Sequence, residues 1–139
     1  MRLPLAVLAS TLALAACRPE SIPATGRTQP VAVQVTCDNQ SITFTVTPWA
    51  RHVARGDAIA WSVAAGSNTQ DVTIDKVGTQ WAYNENPPFH ATPNRPAQAS
   101  HMKAGIPPGT QYRYSVEADC QNGSGPKIHG KIDPDMIVD

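Results

Sequence analysis

Three cysteines and four histidines are the residues of this 139-residue chain best suited to chemistry. Cys17, Cys37 and Cys120 could each supply a thiolate nucleophile, a soft metal ligand or half of a disulfide. His52, His90, His101 and His129 are scattered along the chain. His101-Met102 pairs an imidazole with a thioether, and both bind copper. Read as strand residues, His101 faces water and Met102 faces the core. Asp71, Asp75 and Glu85 could be the paired carboxylates of a hydrolase, and Asp133 and Asp135 around Pro134 could hold a cation. The simpler readings are solvated strand and loop residues, and a turn. There is no Gly-rich phosphate loop, no HExxH and no Gly-x-Ser-x-Gly elbow. No spacing of Ser, His and Asp identifies a triad, so no enzyme is expected. The tryptophans offer binding surface instead. Trp61 reads as core, whereas Trp49 and Trp81 are candidates for partial exposure toward a protein or glycan ligand.

The overall balance excludes some partners. Eleven basic and eleven acidic residues cancel, which argues against nucleic acid, whose binders need a basic surface. Charged residues make up 16% of the chain, well under the usual share of about 25%. Thirteen prolines disfavour a helical bundle, because proline breaks helix interiors. The 41% apolar content suffices for one small core.

The N-terminus reads as a targeting segment. Arg2 precedes an apolar run from Leu3 to Ala16, too short to span a bilayer, which takes about 20 residues. Leu14-Ala15-Ala16-Cys17 resembles the bacterial lipobox. That resemblance implies that residues 1–16 are a signal peptide and that Cys17 begins the mature chain, carrying diacylglycerol and fatty acids such as palmitate. Arg18 follows, where Asp would favour inner-membrane retention, so the expected location is the outer membrane, facing the periplasm or the cell surface. A bacterial source discounts the sequons Asn39-Gln40-Ser41 and Asn122-Gly123-Ser124. Residues 17–30, with three prolines among them and no apolar period, read as a flexible tether reaching at most roughly 45 Å.

Residues 31–139 read as one all-β domain. β-Branched residues alternate with polar ones at the period of a half-buried strand. Val31, Val33, Val35 and Cys37 share one face, as do Ile42, Phe44 and Val46. Ile59, Trp61 and Val63 group likewise, as do Val72 and Ile74, and Tyr112, Tyr114, Val116 and Ala118. Residues 79–83 suggest a short strand, and the chain closes on another around Met136-Ile137-Val138. Seven or eight such strands predict a two-sheet Greek-key β-sandwich. Residues 84–98, rich in proline, read as a long surface crossover between the sheets.

If Cys17 carries lipid, two cysteines remain in an oxidising compartment. Cys37 has the parity of Val33 and Val35, and Cys120 that of Tyr114 and Val116. Both should face the core at strand ends and pair as a structural disulfide.

Val53-Ala54-Arg55-Gly56-Asp57-Ala58-Ile59-Ala60-Trp61 resembles the cupredoxin strand that turns at Gly-Asp and ends in Trp. Ile106-Pro107-Pro108-Gly109-Thr110-Gln111-Tyr112-Arg113-Tyr114 is similar to that family's turn into its Tyr-x-Tyr strand. An Ig- or fibronectin-like sandwich would share some of these features. The cupredoxin resemblance implies electron transfer at a copper held by two His, a Cys and often Met. The chain departs from that set. Asn68-Thr69-Gln70-Asp71-Val72 holds no His where the first ligand belongs, and Cys120 is widely spaced from His129 and Met136. The expectation is therefore a lipid-anchored, non-catalytic envelope module that binds a protein or glycan and holds no metal or other cofactor. The alternative is a periplasmic copper-binding or electron-transfer protein.

Overall fold

The computed structural model describes residue 22 and residues 26–121 and 123–139. The segment 1–16 read as a signal peptide, Cys17 and most of the segment read as a tether lie outside the described residues. Ten strands follow in order: β1 (Thr28–Cys37), β2 (Ile42–Thr47), β3 (Ala50–Val53), β4 (Ala58–Val63), β5 (Val72–Lys76), β6 (Phe89–Ala91), β7 (Ala97–Ala99), β8 (Thr110–Cys120), β9 (Ile128–Ile132) and β10 (Asp135–Val138). There is no helix among the described residues.

The period-two patterns become strands because each has a dry side and a wet side. Val31, Val33, Val35 and Cys37 are buried along β1 while Ala32, Gln34 and Thr36 are exposed between them. The strands form two sheets, one ordered β2-β1-β4-β7 and the other β3-β10-β8-β5-β6, with β9 also on β8. Many neighbours in each sheet are distant in sequence, as a Greek-key sandwich requires. β9 and β10 occupy one edge of β8 in succession, β9 against Val116–Cys120 and β10 against Thr110–Arg113. Pro134 separates them. It has no N–H to offer a ladder, but its carbonyl accepts the Tyr114 N–H at 3.1 Å.

The core is aromatic at its centre. Trp61 lies 6.3 Å from Trp81, 5.9 Å from Phe89 and 5.6 Å from Tyr114, ring centre to ring centre. Trp81 was expected to be partly exposed toward a ligand. It is instead buried, with 2% of its surface accessible. Its indole N–H reaches the Glu85 carbonyl at 3.0 Å, so the polar edge is satisfied inside the fold.

Three other expectations change. β1 starts at Thr28, inside the segment read as tether, because Thr28–Pro30 pair in parallel with Ala58–Ala60. Residues 79–83 form no strand. Trp81, Ala82 and Tyr83 are buried in succession, and Tyr83 makes only an isolated bridge to Met102. The crossover at 84–98 does connect the sheets, but it contains β6 in one and the start of β7 in the other.

The sheets meet closely where β9 passes β2. A Cβ added to Gly130 would lie 2.5 Å from both Ile42 Cγ2 and Phe44 Cε2. Gly130→Ala is therefore expected to cost about 1–3 kcal/mol, the usual penalty of overpacking. Urea unfolding checks this, and an unchanged midpoint would show that the two side chains yield freely.

Candidate functional site

The two ends of the sandwich are built differently. At one end β1 and β8 finish together. Cys37 and Cys120 sit there with Cα atoms 5.7 Å apart and sulfurs within disulfide-bonding distance, joining the two sheets. The parity of each cysteine places its sulfur inward, as expected. Asn68 fastens the same corner. Its side-chain oxygen accepts the Cys37 N–H at 2.7 Å and its amide donates to the Cys37 carbonyl at 2.8 Å, like one more strand residue. Ser67 Oγ accepts the Val35 N–H next to it. Thr69 is buried, and its hydroxyl donates to the Asp71 carbonyl.

A groove of about 500 Å³ opens beside this corner. The Cys37–Cys120 pair and Ala118 supply its apolar part, while Gln70, Asp71, Thr73, Glu117, Asp119 and His129 supply its polar part. Alternation builds the polar face. With Val116, Ala118 and Cys120 turned to the core, Glu117 and Asp119 must face outward on β8. Register then sets Lys131 opposite Glu117 and His129 opposite Asp119 on β9. Lys131 Nζ lies 3.2 Å from Glu117 Oε1, and His129 Nδ1 lies 2.8 Å from Asp119 Oδ1. Lys127 Nζ approaches the other Asp119 oxygen at 2.8 Å. These bonds from Lys127 and then His129 hold the Asp119 carboxyl below the usual carboxylate range. Burial pushes Glu117 up, but hydrogen bonds from Ser115 and Lys131 outweigh it, and the net direction is also down. Both carboxyls are thus anions at neutral pH, and each is already bonded.

Asp71 continues the face. His90 Nδ1 lies 3.0 Å from Asp71 Oδ2, and Thr73 stands opposite both His90 and Glu117. The result is a shallow groove that presents hydrogen-bond donors and acceptors from β5, β8, β9 and the turn before β5. It suits a polar ligand held by several hydrogen bonds. Cross-strand complementarity was a signal in the sequence. Glu117 and Asp119 alternate on one strand as His129 and Lys131 do on the next, but only the register shows that they face each other.

The structure separates the other candidates. Asp71 and Glu85 have different partners, and Asp75 Oδ1 accepts the Lys76 N–H. Asp135 Oδ1 lies 3.3 Å from Arg113 Nε. Trp49 is exposed, as expected, but lies at the β2–β3 bend and does not line the groove. Met102 is fully buried while His101 is exposed, so the adjacent pair does not act together. Met136 is opposite Tyr112 and His129 opposite Asp119, which puts them some seven β8 residues, or about 23 Å, apart. Among the described residues, no three His, Cys, Asp or Glu side chains group in a way that could hold a metal ion.

At the opposite end, Glu85 ties two loops together. It accepts the Ser100 N–H and hydroxyl at 3.0 Å, the His101 N–H at 3.1 Å and a 2.7 Å bond with His101 Nδ1. Burial opposes its ionisation, but these bonds prevail and lower its pKa from 4.5 to about 2. A depressed folded-state pKa gives stability that is full above the unfolded value and is lost as pH falls toward 2. Glu85→Gln should therefore lose less stability than the parent between about pH 5 and pH 3. Urea unfolding at both pH values checks this, and parallel losses would reject it.

Compared with known proteins, the chain matches no family model and no curated protein.

Proposed function

We propose that this chain is a bacterial lipoprotein, anchored in the outer membrane through Cys17, whose cupredoxin-like sandwich is a non-catalytic binding or structural module of the envelope. The Cys37–Cys120 corner carries the reading. A cupredoxin copper site needs a free thiolate and two imidazoles converging on one point. Cys120 instead faces Cys37, and a disulfide has no thiolate to give. Asn68 and Thr69, in the segment where the first His would belong, are committed to the Cys37 backbone and to the Asp71 carbonyl.

What the same corner offers is recognition. The groove from Asp71 to His129 presents hydrogen-bonding groups on a rigid sheet, suited to a polar glycan or peptide segment of the envelope. The Gly56-Asp57 turn and the Tyr112-x-Tyr114 strand keep the cupredoxin resemblance in the framework.

Copper titration of the full chain tests the choice between module and electron carrier. No intense blue absorption is expected, and little thermal stabilisation. A metal bound at a hundredfold excess over its Kd would add about 2.7 kcal/mol. A strong copper-dependent rise in Tm that survives His101→Ala and His129→Ala would overturn the module reading.

A further inference from the structure

The chain between Cys17 and the folded domain is shorter than its composition implies. Ile22 donates its N–H to the Met102 carbonyl at 3.0 Å, and Gly26 donates to the Gly56 carbonyl at 3.1 Å. The Arg27 N–H then bonds Asp57 Oδ1 at 2.9 Å. Residues 18–21 alone separate Cys17 from Ile22. Five Cα steps reach at most about 18 Å. A lipid on Cys17 therefore holds the Met102 end of the sandwich close to the bilayer. β8 runs from Thr110, near this end, to Cys120 at the far corner, ten steps or about 33 Å.

Charge at the near end points the same way. Arg27, Arg55 and Lys103 are exposed there, and none is in a salt bridge among the described residues. Among the described residues, the carboxylates nearby are occupied. Asp57 is buried and accepts from Arg27 and Gln29, Glu85 is held by Ser100 and His101, and Asp139 pairs with His52. Exposed Ala104, Gly105, Pro107 and Pro108 bring no charge to oppose a surface. Basic side chains within a Debye length of anionic headgroups are attracted to them.

We infer that the sandwich stands on the bilayer with its Arg27–Arg55–Lys103 end against anionic phospholipid headgroups, which turns the Cys37–Cys120 groove away from the membrane toward its ligand. This orientation rests on lipidation of Cys17. The test uses the full lipidated chain in phosphatidylcholine–phosphatidylglycerol vesicles containing a headgroup-nitroxide quencher. A fluorophore is attached through Ala104→Cys or, separately, through Ser124→Cys. Strong quenching is expected at position 104 and none at position 124. Ile22→Pro removes the N–H that bonds Met102 and leaves the next attachment at Gly26, about 32 Å of chain from Cys17. It should weaken quenching at 104, as should vesicles of phosphatidylcholine alone. Equal quenching at both positions, in protein whose N-terminal peptide carries lipid by mass, would overturn the orientation and leave the anchor standing. An unmodified Cys17 would overturn the anchor and the orientation with it.

Discussion

Replacing Cys37 and Cys120 together by alanine is expected to lower the unfolding free energy by about 2–5 kcal/mol. The two residues are 83 apart in sequence, and the chain-entropy relation for a loop of that size gives about 4–5 kcal/mol. Packing adds to the loss, since both sulfurs lie in the core and alanine leaves space behind. Against a net stability of about 5–15 kcal/mol, this is a large share. Denaturant unfolding of parent and double variant under non-reducing conditions measures it. Thiol titration of the unreduced, unfolded parent supplies the independent check. The account predicts that neither Cys37 nor Cys120 titrates. A small stability change together with two titratable thiols would mean that the corner is held by packing and by the Asn68 clamp alone.

The corner also shows what the residues themselves disclosed. Parity put Cys37 with Val33 and Val35, and Cys120 with Tyr114 and Val116, and all are buried. β1, β2, β4, β5 and β8 were readable in the same way, because each sets a drier face against a wetter one. β3, β6 and β7 were not. They are three or four residues long, and they are strands only because β10, β5 and β4 supply partners. Trp81 was misplaced for a related reason. It lies outside any strand, beside Ala82 and Tyr83, where no alternation marks a buried side. Its burial comes from Trp61 and Phe89, which reach it from elsewhere in the chain. The groove was least legible. Asp71 stood out in the sequence only as one of three carboxylates, with Asp75 and Glu85, that a hydrolase could pair or water could solvate, and its setting depends on β5, β6 and β8 meeting in one register. The docking of Ile22 on Met102 is a single main-chain bond, and main-chain bonds leave no mark on residue type.

The second large effect concerns the anchor. A single acyl chain binds a membrane marginally and reversibly, whereas two or more hold it stably. On the proposed reading, Cys17 with a diacylglycerol and a further fatty acid meets that condition; among the described residues, no helix is long and apolar enough to cross a bilayer. The surface charges at the Met102 end would orient an anchored domain, but three basic side chains give only weak attraction at physiological salt. Removing the thiol should therefore remove nearly all membrane association. Fractionation of cells producing the full chain with Cys17→Ala, beside the parent, is the direct measurement. The account predicts that the parent sediments with the membranes and the variant moves to the soluble fraction. A variant that stays with the membranes as the parent does would contradict it.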